Sequence, residues 1–345
     1  MSGVSVHRIR IERGTTPTVE VGDQVRPDEV IAMRRRPLTP IRIALAGPLR
    51  RPVGQINDAL MVQAGAQVEA GERLAAIGTR EVTAPVAGLV LAISPLDGTL
   101  LLAPFGPEEA IVGHVTGKIR DIDEGSITVE VPAARLRGVG GSGDAVHGQI
   151  ALSVQNPDDE LRAPAIDSSA TGKILVGGSR ASAETLTRAR AMGVAGIVLG
   201  GILDKELRDF EAIQRRRREA GGLTASFAVL VLEGFGKVGI DPQVFTWLRT
   251  QAGRMASLFG ADQMLYVYEA GDVPTRRPLP RPGERVVSRG RPYQGRGGVV
   301  VSVLDGLHAT PSGISARMAV VRFDDGRLTT LPLANIDAMV RTEER

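Results

Sequence analysis

Two stretches of this chain carry the same spacing of apolar residues and glycine. Val19-Gly22-Val25-Asp28-Ile31 is followed 43 residues later by Val62-Gly65-Val68-Gly71-Leu74. Steps of three with interleaved turn residues suit neither a helical face nor one long strand. They fit very short strands separated by tight turns. A β-only unit used twice at that distance predicts a folded-over sandwich of two similar halves. Met1 to Gly14 alternates Val4, Val6, Ile9 and Ile11 with polar residues and reads as a further strand.

The second half runs on into Val82-Thr83-Ala84-Pro85-Val86-Ala87-Gly88-Leu89-Val90. This Ala-Pro-x-x-Gly-x-Val run, after the repeat, resembles the strand following the hairpin in biotinyl/lipoyl-like barrel-sandwich hybrid domains, including the RnfC type. The resemblance covers about residues 15–105. It implies a compact β scaffold used for docking or spacing. A swinging-arm carrier attaches its cofactor to a lysine amine on that hairpin, and all four lysines of this chain lie at or beyond Lys118. Neither biotin nor lipoate attachment is expected, and no cofactor is predicted.

Length and composition set the rest of the frame. A chain of 345 residues allows two or three domains. Aromatic residues make up 3%, so the cores must be built from Val, Leu, Ile and Ala, while 42 glycines and 21 prolines call for many turns. The absence of cysteine removes disulfides, thiolate metal sites and thiol nucleophiles. It fits a reducing compartment, and the expected location is the cytoplasm. The most apolar long window, Ala84 to Phe105, is broken by Pro85, Gly88, Pro95, Asp97 and Gly98, so no membrane helix is expected. Net charge is +3, and 38 of the 42 basic residues are arginine. We read that bias as genomic in origin.

The order of patterns predicts a multidomain β plus α/β chain. Residues 1–108 form the barrel-sandwich hybrid-like domain and 109–156 an additional β segment. Residues 172–272 form a three-layer α/β domain with a mostly parallel sheet, and 283–341 an SH3-like β-barrel. Within 109–156, Gly138-Val139-Gly140-Gly141-Ser142-Gly143 satisfies G-x-G-x-x-G. A dinucleotide fingerprint must open a helix, and Asp144 to Gly148 is too short and glycine-broken, so the run reads as a turn or bulge loop. Gln155 to Gly172 is polar and proline-containing and reads as a linker. Beyond it, apolar runs at 173–176, 196–199 and 228–232 alternate with helical sequence at 181–192, 204–218 and 242–259, and 264–268 gives a fourth strand.

Two sites are candidates. In an open parallel sheet ligands bind beyond the carboxyl ends of the strands. The loops predicted there contain Gly177, Gly178 and Ser179, then Gly200 and Gly201, then Glu233, Gly234, Gly236 and Lys237. Glycines let backbone N–H groups approach a small anionic ligand, Ser179 could cap the next helix, and Lys237 offers a point charge. The bland reading is that these glycines make tight strand–helix turns, since no Walker motif is present. Arg215 to Arg218 likewise reads as a solvated helix end, favoured by the helix dipole. The second candidate is Gly290-Arg291-Pro292-Tyr293-Gln294-Gly295-Arg296-Gly297-Gly298-Val299-Val300, which resembles the KOW signature, with 320–326 fitting a later hairpin of the same module. KOW modules contact RNA or protein partners, and residues 276–345 hold 12 Arg against 7 Asp and Glu. Arg289, Arg291, Tyr293 and Arg296 would place guanidinium groups and one ring on a single loop. The bland reading is a small β module that packs on its own chain. His7, His114, His147 and His308 lack metal-ligand spacing and receive no role.

The functional expectation is a non-enzymatic adaptor contacting protein or an RNA or ribonucleoprotein through the KOW-like module. The alternative is an enzyme or sensor binding a phosphorylated metabolite or nucleotide at the strand ends of the α/β domain.

Overall fold

A computed structural model describes residues 4–339 apart from 13–14, 95, 220–225, 276–278, 290–291 and 310–314. For 204, 214, 217–219 and 315 it describes the backbone alone. The chain divides into two compact units: one holds residues 8–113 and 118–129, the other 1–7, 114–117 and 130–345. Strands far outnumber helices in both, and no helix of the described residues is long and apolar enough to cross a membrane.

In the first unit the 43-residue repeat is a repeat of backbone structure. Val19, Val25 and Ile31 are buried, as are Val62, Val68 and Leu74. Two-residue strands Gln24–Val25 and Gln67–Val68 occupy the same place in each copy. Thr18 N donates to Ile31 O, and Met61 N donates to Leu74 O, both at 3.0 Å. Asp23 N–Glu20 O and Ala66 N–Gln63 O match at 3.1 Å, as do Glu29 N–Arg26 O and Glu72 N–Glu69 O. In both copies the same glutamate also accepts from the backbone, Glu29 from Arg26 N and Glu72 from Glu69 N. Gly22 and Gly65 turn at φ +104° and +91°, a region closed to most side chains, which is why glycine recurs there.

The partner segments repeat as well. Gly22 N donates to Ile119 O and Gly65 N to Val90 O. Val82-x-Ala84-x-Val86-x-Gly88-x-Val90 thus has a counterpart in Ile111-x-Gly113-x-Val115-x-Gly117-x-Ile119. The larger sheet of this unit runs Thr15–Pro17, Val30–Pro37, Thr99–Val112, Gly88–Ser94, Gln67–Val68, with Ile41–Ala44 added against 99–112. The 99–112 strand passes unbroken through position 108. A second sheet runs Ser5–Arg10, Ser126–Val131, Gly117–Asp123, Gln24–Val25. Leu45, Leu49, Ile56, Leu74, Val90, Leu100 and Leu102 form a core with no aromatic ring, as the composition requires. At the amino terminus the expected alternation is out of phase: Val4 and Val6 are exposed, and His7 and Ile11 are buried.

The second unit is organised by an eight-stranded sheet, in order Ala133–Arg137, Met264–Tyr268, Met255–Phe259, Ala145–Leu152, Ile174–Val176, Gly196–Ile202, Ala228–Phe235, Gly140–Gly143. Only the pairings among 145–152, 174–176, 196–202 and 228–235 are parallel, and the other four are antiparallel. The sheet is therefore mixed, not mostly parallel. The reason is that three strands from 133–152, expected to stand apart, join it, and that 255–259, expected as helix, is a strand paired antiparallel with the expected strand 264–268. Alternation within the central strands serves two cores. Val198, Leu230 and Leu232 face the helix Pro242–Thr250, while Ile197, Leu199, Val229 and Val231 face the helices Ala183–Ala191 and Asp204–Glu219.

Three local expectations are corrected. The helix begun at Pro242 stops at Thr250, because Gly253 takes φ +86° and the following residues are buried on alternate sides as a strand. The glycine run 140–143 is an edge strand, and residue 141 passes so near its neighbours that a Cβ there would stand 2.3 Å from Gly260 O. It leads into another strand, not a helix. The 155–172 segment is no linker: Leu161 and Ile166 are buried, and 160–161 pairs with 180–181.

The carboxyl-terminal sheet, also in the second unit, runs Leu328–Pro332, Met318–Phe323, Gly297–Val303, Arg285–Ser288, Ile336–Ala338. Val286, Val300, Val321, Phe323, Leu333 and Ile336 form its core. It is an open sheet where a barrel was expected. Its two edge strands are joined by the Leu333–Asn335 turn and do not pair with each other.

Candidate functional sites

Most glycines of the first candidate site are packed against neighbouring chain, whereas Gly236 has nothing within 4 Å of a Cβ position. Gly177, Gly178 and Ser179 follow the 174–176 strand, as expected, but Gly200 and Gly201 lie within the 196–202 strand, and Glu233 and Gly234 within 228–235. All of 177–179, 200, 201 and 234 are buried. A Cβ on Gly178 would lie 2.3 Å from Asp159 O, and one on Gly200 would lie 2.4 Å from Val238 O. The 156–160 and 236–240 segments therefore occupy the space beyond the strand ends. Ser179 N and Oγ both donate to Asp159 O, at 2.7 and 3.1 Å. Ser179 is thus no helix cap, and Ser182 takes that role by accepting from Thr185 N.

Glu233 accepts from Asp241 N at 3.2 Å, and Asp241 in turn caps the 242–250 helix through Gln243 N and Val244 N. Gly234 is covered by the carboxyl-terminal sheet: Phe235 N donates to Asn335 Oδ1 at 2.8 Å. Gly236 follows the strand, and Lys237 is exposed. Hollows of about 360–420 Å³ are lined by other residues, one of them by 151–155, Ala165, Asp167, Ser169, Ala170, Lys173 and Leu175.

The second candidate site separates into structural and exposed parts. Arg289 Nη2 donates to Ala334 O at 2.8 Å, and its Nε lies 3.1 Å from Asp337. It clamps the 333–335 turn. Tyr293 is half-buried, stacked on Phe323 with centroids 5.0 Å apart and planes at 26°. Arg296 is exposed, with its guanidinium carbon 5.9 Å from the Tyr293 ring centre and Nη1 2.9 Å from Asp325. Tyr293 thus has a stacked phenyl ring, Phe323, and an exposed cation, Arg296, within reach of its own ring. Arg291 lies outside the described residues.

Of the four histidines, given no role from spacing, His308 is exposed beside Asp305 O, and the other three fall into two environments. His7 is 5% exposed, lies against Phe259 and shares a 3.2 Å hydrogen bond between its Nδ1 and the Tyr266 hydroxyl. Burial holds its pKa below the usual 6.5 despite Asp262 at 3.8 Å, and burial pushes the Tyr266 hydroxyl up to about 12. His114 and His147, 33 residues apart, meet with Nδ1 atoms 3.1 Å apart. A positive φ of 51° at His114 turns its backbone sharply at this point. Histidine is among the residues enriched in that region, but nothing in the sequence pairs 114 with 147.

The hairpin ahead of Ala84-Pro85 joins Arg73–Ile77 to Arg80–Thr83 through Gly78 and Thr79. No amine is present at this turn. No family model matches the chain, and no curated protein matches it.

Proposed function

We propose that this protein is a non-enzymatic, cytoplasmic adaptor. Its first unit is a barrel-sandwich hybrid-like scaffold without a prosthetic group, and its carboxyl-terminal sheet is a KOW-like module. That module contacts RNA or a ribonucleoprotein. The Tyr293–Phe323 pair with Arg296 beside it carries this reading, because an exposed guanidinium next to an aromatic ring is a surface on which an unpaired base can stack. It sits in a segment with five more arginines than acids. Asp325 offsets the Arg296 charge, but an ion pair this exposed is weak and gives way to a phosphate.

The scaffold reading rests on matching backbone bonds at a 43-residue offset and on a hairpin turn without lysine. A phosphorylated metabolite at the strand ends has less support, since backbone from 156–160 and 236–240 fills the space it would need.

The test is fluorescence anisotropy of a labelled single-stranded RNA with the full chain over a salt series. Parent protein binds, with affinity falling as salt rises. Arg291→Ala, Tyr293→Ala and Arg296→Ala together weaken binding about tenfold or more, the scale of one lost stacking contact. Because Tyr293 also packs on Phe323, Arg296→Gln alone serves as a variant that spares the core. Affinity unchanged in both variants, or absent in the parent, overturns the proposal.

A further inference from the structure

The paired histidines support an inference independent of the RNA reading. We propose that His114 and His147 form a binding site for an imidazole-preferring divalent metal of the Zn²⁺ class. Two imidazole nitrogens bound to one tetrahedral zinc at about 2.0–2.1 Å stand roughly 3.3 Å apart. The two Nδ1 atoms already stand 3.1 Å apart in a head-on hydrogen bond; a metal takes the place of the shared proton, and a turn of about 35° by each ring aims both lone pairs at one point. Both side chains are half-buried, which keeps the site reachable.

The surroundings hold this geometry. His147 lies directly opposite Ser257 in the antiparallel register, and Ser257 is fully buried. The Tyr268 hydroxyl is 2.8 Å from Ser257 Oγ and accepts from Thr116 N at 2.8 Å, two residues beyond His114. One phenol thereby fastens the segment carrying His114 to the strands beside His147. Burial raises the Tyr268 pKa, so the phenol is neutral at pH 7 and acts as a positioning group, not an anionic ligand. Among the described residues no cluster of three His, Asp or Glu side chains accompanies the pair. The pair supplies two ligands, one fewer than a catalytic zinc site has, and the metal's remaining positions are left to water or a bound anion.

The experiment is calorimetric titration of the full chain with ZnCl₂ at neutral pH, with MgCl₂ alongside. Saturable uptake of one Zn²⁺ and none of Mg²⁺ is expected, since magnesium favours oxygen ligands. His147→Ala and His114→Asn each abolish that uptake, while His308→Ala retains it. Asparagine is chosen at 114 because it tolerates the left-handed backbone and so spares the fold. Imidazole NMR of the parent provides a measurement that needs no variant, with zinc perturbing His114 and His147. Zinc uptake retained in both variants, perturbation only at His7 or His308, or no uptake by the parent overturns the proposal.

Discussion

The repeat of the first unit and the central sheet of the second both depend on glycine, for opposite reasons. Gly22 and Gly65 have nothing within 4 Å of where a Cβ would sit; their requirement is a dihedral angle. Gly141 and Gly200 keep negative φ, and their requirement is the absence of an atom, because neighbouring backbone lies within 2.4 Å of the Cβ position. A dihedral requirement is local and leaves a mark at fixed spacing in the chain. A close-approach requirement depends on a partner far away in sequence, and leaves no local mark beyond the glycine itself.

Substitutions can break this comparison. The largest effect is expected for Leu230→Ala in the central sheet, where a fully buried side chain leaves a cavity, at about 2–5 kcal/mol. Gly141→Ala is expected to cost about 3 kcal/mol, since backbone must shift to admit the methyl group. Gly65→Ala, which meets only conformational strain, should cost about 1–2 kcal/mol, and Gly65→Asn less. Urea unfolding of each variant checks the order. Equal costs at 141 and 65 would remove the distinction.

His7 sharpens the comparison from another side, because its burial is a tertiary property of an otherwise strand-like segment. Its folded pKa lies below 6.5 through burial, so the unfolded chain takes up a proton more readily. Its contribution is then fully present above pH 6.5 and is lost as pH falls through that value toward the folded pKa. His7→Phe should flatten the decline in thermal midpoint between pH 7 and 5. A slope identical to the parent's would contradict this assignment. The smallest effect is expected for Arg35→Ala, which removes an exposed pair with Glu108 at 2.6 Å and should cost under about 1 kcal/mol.

Legibility followed the same division. The 204–219 helix and the 174–176, 196–202 and 228–235 strands were readable because apolar runs and helical periodicity are short-range signals. The tail of the 242–250 helix was misread because Met255 and Phe259 keep helical spacing, while Gly253 and cross-strand partners at 264 and 145 make them a strand. Gly200, Gly201, Glu233 and Gly234 were read as loop residues because glycine usually marks a turn, but their strands continue through them. At the second candidate site the aromatic and arginine content was evident. That Arg289 is spent on Ala334 and Asp337 while Arg296 faces outward was not.

By itself the amino-acid order determined a two-fold β repeat, cores free of aromatic rings in the first unit, and an alternating strand–helix region. The repeat and the alternation are set by residues a few positions apart, and the ring-free core by composition. Tertiary structure alone decided that 133–152 joins the central sheet, that distant backbone lies against Gly178, Gly200 and Gly201, and that His114 meets His147. Those outcomes depend on which distant segments win a shared surface, and hydrogen-bonding edges and close backbone approach settle that competition.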